Sequence, residues 1–162
     1  MAKNKRPYQK KRFESTGISS DTSANIYESM MRSDAWKDLS PAQKVLYTTC
    51  KSQYYAEKQK PVEGENTCFT MPKGKWADTY GLYSRNNGSG FYRDIGALIE
   101  HGFIRCYQGG KASRTKTIYQ FSDKWQRYGT PAFAIDMNER TEGMRSRLFR
   151  KSRSGSTAGE GQ

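Results

Sequence analysis

One histidine and three scattered cysteines are all that this 162-residue chain offers to a metal ion or a redox couple. Cys50, Cys68 and Cys106 form no C-x-x-C pair, and with His101 they make none of the usual zinc spacings. The pattern argues against a disulfide framework or a metal site; reduced, structural thiols in a cytoplasmic protein are expected. No apolar run approaches the roughly 18 residues that a membrane-spanning helix needs. Nor does an apolar stretch follow the charges of the opening M-A-K-N-K-R, so neither a secretory signal nor a membrane partner is expected. Hydrophobic residues are sparse at 34%, which leaves part of the chain outside any core. Acids are scarce too. With 16 Asp and Glu against 28 Lys and Arg, the net charge of +12 favours an anionic partner, nucleic acid ahead of a lipid surface. No serine or cysteine has an evident base, and Asp34, Asp38, Glu63 and Glu65 read as solvated charges. A binding protein without cofactor is therefore expected rather than an enzyme.

The basic residues cluster at the ends. Residues 1–12 carry Lys3, Lys5, Arg6, Lys10, Lys11 and Arg12 without one acid, and a Ser/Thr-rich linker follows to residue 23. Residues 139–153 carry six Arg and Lys against Glu139 and Glu142. The chain then divides into a disordered basic arm at 1–23, a folded domain at 24–130, an extension at 131–151 and a disordered tail at 152–162. Within the extension, Met144, Leu148 and Phe149 would share one face of a basic amphipathic helix, with Arg145, Arg147, Arg150 and Lys151 around it.

The domain opens with a lead-in that offers Ile26, Met30, Trp36 and Leu39 to a core. Ser40-Pro41-Ala42-Gln43 is a capping box with proline at the first helical position. The helix it starts runs to about Gln59, with Val45, Leu46, Cys50 and Tyr54 on its buried stripe. The spacing predicts a strand at 67–71, which should pair with a later strand. A short helix follows at 73–80, turning Trp76, Ala77 and Tyr80 inward, and Gly81 sits in a left-handed C-cap. A second helix at 87–101 buries Phe91, Ile95, Leu98 and Ile99, and strands 103–107 and 115–121 flank a glycine loop. Gly88 and Gly90 in its first turns leave two readings open: a late helix start, or close backbone approach to a phosphate. Tyr47, Phe69, Tyr80, Phe91, Phe103, Tyr119 and Phe121 read as core, while Tyr8, Tyr92 and Tyr107 read as exposed.

The residues Leu98-Ile99-Glu100-His101-Gly102-Phe103-Ile104, within this order of elements over residues 40–121, resemble the winged helix-turn-helix family. Trp36 to Tyr47 (W-K-D-L-S-P-A-Q-K-V-L-Y) and Tyr119 to Trp125 add a likeness to small proteins of bacterial plasmids, phages and other mobile elements. The resemblance implies an α+β fold, with about three core helices and an antiparallel hairpin wing. It implies double-stranded DNA as partner and a role as transcriptional regulator or as replication or transfer accessory factor, with a homodimer allowed. On that reading Arg85, Asn86, Asn87, Ser89, Tyr92 and Arg93 of the recognition helix approach bases. Lys111, Arg114 and Lys116 of the wing and the arm cations meet phosphates. Two rival readings remain. An RNA-binding protein would hold structured RNA and random DNA alike, and a protein-interaction module with solubilising arms would show no salt-sensitive binding.

Overall fold

The computed structural model describes residues 23–56, 60–110 and 114–155. The N-terminal arm cations, Tyr8, Lys111, the expected helix end at Gln59 and the last seven residues lie outside that set. The fold is α+β, with helices packed against one three-stranded antiparallel sheet.

Two single-turn helices, α1 (Glu28–Met31) and α2 (Asp34–Lys37), form the lead-in, and Met30, Ala35 and Leu39 are buried there. Ser33 caps α2 by accepting a hydrogen bond from the Trp36 amide at 3.2 Å. Helix α3 (Pro41–Ala56) starts at the expected capping box: the Gln43 amide donates to Ser40 Oγ at 3.3 Å, and the Ser40 amide donates to Gln43 Oε1 at 2.8 Å. Its buried stripe differs from the expected one. Leu46, Tyr47, Cys50 and Gln53 face the core, Tyr54 is half-buried, and Val45 is 54% exposed. The true stripe follows i, i+1, i+4, i+7, and Val45 lies about 100° around the helix from Leu46. A glutamine in place of the expected apolar residue hid it. Gln53 is tolerated because its polar atoms are matched: Nε2 donates to Tyr80 Oη at 2.7 Å, and Oε1 accepts from Lys75 Nζ at 2.8 Å. Tyr80 consequently keeps its hydroxyl against Gln53 and its ring 39% exposed, which corrects its assignment to the core.

Strand β1 (Cys68–Thr70) is followed by a π-helical turn, Gly74–Thr79, where a short helix at 73–80 was expected. The Tyr80 amide reaches back to the Lys75 carbonyl at 3.0 Å, and Trp76 is buried as expected. Gly81 takes φ +59°, the left-handed value its position called for. Helix α4 (Gly88–Glu100) buries Phe91, Ile95, Leu98 and Ile99. It ends at Gly102, φ +77°, where the Gly102 and Phe103 amides return to the Ile99 and Leu98 carbonyls at 2.9 and 3.0 Å. Strands β2 (Ile104–Gln108) and β3 (Ile118–Phe121) complete the sheet in the order β1-β3-β2, so β1 does pair with a later strand, Phe69 opposite Tyr119. β3 begins three residues later than expected. Thr115 instead closes the connecting loop by donating to the Gly110 carbonyl at 2.9 Å, and residues 115–117 pass so near Gly110 that a Cβ there would meet backbone.

Aromatic rings join helices to sheet. Tyr47 lies 5.0 Å from Phe103 and Trp76 stacks on Phe91 at 4.9 Å. Phe69 stacks at 4.5 Å on Phe121, which is only partly buried. Beyond the sheet, Trp125 stacks on Phe103 and Tyr128 on His101, and Tyr128 Oη donates to Asp38 at 2.9 Å. The segment expected as an extension is tied to this body. Buried Glu139 accepts from Lys124 Nζ at 2.6 Å, Arg140 forks onto Glu100 at 2.7 and 2.9 Å, and Met144 enters the core cluster over Gly96. Helix α5 (Glu142–Gly155) then runs on into the stretch expected to be tail, since no proline or glycine interrupts 144–154. Of its expected apolar face only Met144 is buried; Leu148 is 41% and Phe149 63% exposed.

One buried carboxylate orients α4. Asp94, 1% exposed, accepts from Tyr83 Oη at 2.8 Å, from Gln43 Nε2 at 3.3 Å and from Arg93 Nε at 3.1 Å. Burial works to raise its pKa, but the hydrogen bonds from Arg93, Tyr83 and Gln43 outweigh it and hold the carboxyl below its usual range. Asp94→Ala, which leaves the Tyr83 and Gln43 donors without their acceptor, is expected to cost about 2–4 kcal/mol in urea unfolding. Because the folded pKa is depressed, this stabilisation is complete above the unfolded value near about 3.9 and is lost as pH falls through the folded value. The stability gap between the native chain and Asp94→Asn should therefore narrow below about pH 4.

Candidate nucleic-acid interface

Only the N-terminal half of α4 is bare. Ser89, Tyr92 and Arg93 are exposed there, and Arg85, Asn86 and Asn87 project from the turn that precedes it. The C-terminal half of the same side is covered: Gly96 lies beneath Met144, and Glu100 is paired with Arg140. The expected contact residues are thus brought to one end of the helix, but several are already engaged. Arg85 forks onto Asp78 at 2.7 and 2.6 Å, and Arg93 lies along its neighbour Asp94 with its side chain 72% exposed. Arg85 would exchange an exposed partner, Asp78, for a new acceptor, a modest cost at the surface, whereas Arg93, itself exposed, would leave a buried carboxylate that keeps Tyr83 and Gln43 as donors. Asn86 has an open side, whereas Asn87 is the N-cap, its Oδ1 accepting from the Gly90 amide at 3.1 Å.

That cap accounts for Gly90 without either reading the sequence left open. The helix starts at Gly88, and a Cβ on residue 90 would stand 2.8 Å from the Asn87 carboxamide. Gly90 makes room for the cap, while a Cβ on Gly88 would meet open space.

In the loop between β2 and β3, Arg114 and Lys116 are exposed, and Arg114 adopts φ +54°. On α5, Arg147, Arg150 and Lys151 are exposed and Arg145 is half-buried. These elements enclose a groove of about 820 Å³ between the start of α4, the base of the β2–β3 loop, the Met71–Lys73 bend and α5. Ser89, Tyr92, Lys116, Arg147 and Arg150, which the sequence distributes over helix, wing and arm, all line it. Lys73 is added there, and Glu142 is the one acid of the lining. Sequence reasoning missed Lys73. Nothing local distinguishes it from Lys75, which turns inward to Gln53. Tyr92 and Tyr107 are exposed as expected, at 56% and 40%.

The remaining reactive groups are placed for structure. His101 sets Nδ1 2.8 Å from the Ala97 carbonyl and stacks its ring on Tyr128. Burial pushes the free thiols of Cys50, Cys68 and Cys106 up, so they stay protonated near neutral pH. Among the described residues, no group of His, Cys, Asp and Glu is placed to hold a metal ion, and no helix is long and apolar enough to cross a membrane.

No family model, curated protein or solved structure matches the chain.

The two glycines give different expectations. Gly88→Ala should stabilise the protein by up to about 1 kcal/mol through helix propensity. Gly90→Ala has the same propensity gain but loses the Asn87 cap, worth about 1 kcal/mol, so it should be less stable than Gly88→Ala by about that amount. Paired urea titrations of the two variants check the difference.

Proposed function

We propose that this chain is a winged helix-turn-helix protein that reads double-stranded DNA, with α4 as its recognition helix. The carrying observation is the placement of the bare N-terminal half of α4 next to exposed wing cations, while its C-terminal half is covered. In helix-turn-helix docking the N-terminal residues of the second helix approach the bases. The order α3, β1, π-helical turn, α4, β2, loop, β3 and the sheet order β1-β3-β2 support the same reading.

In this reading Arg93 and Asn86 face base edges, a guanine and an adenine being their natural acceptors, and Arg85 joins them on leaving Asp78. Asn87 holds the helix start and presents its remaining side-chain amine. Arg114, Lys116 and Lys111 of the wing meet phosphates, as do the arm cations Lys3, Lys5, Arg6, Lys10, Lys11 and Arg12. The biological role is that of a cytoplasmic transcriptional regulator, or of a replication or transfer accessory factor of a mobile element.

Selection from a random duplex pool should enrich one motif, and a motif in two symmetric halves would report a homodimer. Against that motif, Arg93→Ala should lose about 5- to 150-fold in affinity and relax preference at one base pair, with much less effect on a scrambled duplex. Replacing Lys10, Lys11 and Arg12 together should weaken both duplexes alike and flatten the slope of log affinity against log salt by up to about three. Equal losses on both duplexes for Arg93→Ala would remove α4 from the recognition role. Equal affinity for structured RNA and for every duplex would favour the RNA reading, and no salt-sensitive binding would favour the protein-interaction module.

A further inference from the structure

The groove beside α4 is not shaped for a duplex. Its volume of about 820 Å³ falls in the range of small-ligand clefts. A double helix, whose major groove alone is about 12 Å wide, can lie across the mouth but cannot enter. Yet the groove gathers charge as a polyanion site would. Lys73 comes from the bend after β1, Lys116 from the wing, and Arg147 and Arg150 from successive turns of α5, all around one concavity. Lys73, Lys116 and Arg150 are exposed, and among the described residues none of them is ion-paired with Glu142, the acid of the lining. Within this ring of cations stands Tyr92, 56% exposed on a helix whose other aromatic, Phe91, is buried. An exposed aromatic ring that lines one groove with four cations is suited to a ligand that is flat and anionic at once.

We propose that this groove binds single-stranded nucleotide units, the base stacking on Tyr92 and the phosphodiester held among Lys73, Lys116, Arg147 and Arg150. Base stacking on an aromatic side chain combined with a basic track is the usual physics of single-strand binding. The Ser89 hydroxyl at the rim adds a polar contact that any base or phosphate can use. An acidic peptide would satisfy the cations but has no planar group for the exposed ring. The inference shares with the proposed function only the premise of a nucleic-acid partner; it does not depend on duplex recognition by Arg93 and Asn86. It gives the protein a second mode of contact, to an unpaired strand or to a nucleotide displaced from a duplex.

The test uses the full chain and a fluorescent thymidine decamer, with a random duplex of equal length beside it, in anisotropy titrations over a salt series. Tyr92→Ala should lower decamer affinity about 10-fold, as stacking of one base implies, with a smaller loss on the random duplex, whose bases are already stacked on one another. Tyr92→Phe should keep most of the decamer affinity. Arg147→Gln with Arg150→Gln should flatten the decamer's salt slope by about 1.4, near 0.7 for each single-strand phosphate contact. Thymidine monophosphate as competitor separates the two sources of this chemistry: displacement at micromolar concentration assigns the groove to a free nucleotide, and displacement only at millimolar concentration assigns it to a strand. The proposal is overturned if Tyr92→Ala and the paired arginine variant leave decamer affinity unchanged, or if polyglutamate of equal charge displaces the decamer as well as unlabelled strand does. Failure to select any duplex motif, with decamer binding still dependent on Tyr92, would remove the duplex reading and leave this one standing.

Discussion

The buried carboxylate of Asp94 is the constraint from which the arrangement around α4 follows. Its three donors come from three segments: Gln43 from the first turn of α3, Tyr83 from the turn before α4, and Arg93 from α4 itself. A carboxylate out of water is tolerated only when its oxygens are satisfied, so these segments have little freedom to move apart. Gln43 serves twice. Its Oε1 closes the capping box on Ser40 and its Nε2 reaches Asp94, so the start of α3 and the middle of α4 are set by one side chain. The third donor is different in kind. Arg93 is mostly exposed, and its guanidinium can leave Asp94 for an external acceptor while Tyr83 and Gln43 keep the carboxylate paired. The same buried charge thereby fixes the helix and holds a releasable cation at its surface.

Packing and charge together decide which part of α4 stays accessible. Met144 packs over Gly96, and that contact, with the Arg140 fork on Glu100, seats the start of α5 against the second half of α4. Beyond Met144 the helix carries exposed cations and leaves Leu148 and Phe149 in water. Its first turn both seats Met144 on α4 and, through Glu142 and Gly143, lines the groove, whose wall Arg147 and Arg150 continue. Among the described residues, cations converge on that groove and on the exposed helix start, because the β2–β3 loop, the bend after β1 and α5 all border the same end of α4.

Much of the fold was legible because it rests on local rules. The Ser40-Gln43 box, the left-handed glycines Gly81 and Gly102, the four-residue stripe of α4 and the inward aromatics Tyr47, Phe69, Phe91, Phe103 and Tyr119 are each decided within a few residues by capping, φ preference or periodicity. The errors occur where a distant partner overrules the local preference. Val45 is as apolar as Leu46 but faces water, because burial on α3 follows where α4 and the sheet lie. Gln53 and Asp94 are polar and buried because Lys75, Tyr80, Tyr83 and Gln43 arrive to satisfy them. Tyr80 leaves the core for the same reason.

The candidate site divides along the same line. Residue types, net charge and the helix carrying Arg93 and Tyr92 are properties of the sequence alone, since charge and helical periodicity need no tertiary contact to be read. That Lys73, Tyr92, Lys116, Arg147 and Arg150 share one groove is a decision of the tertiary structure. These residues span positions 73 to 150, and no spacing rule connects them. They meet because Met144 seats on Gly96 and because β1 pairs with β3, two long-range contacts whose geometry depends on how the whole core packs.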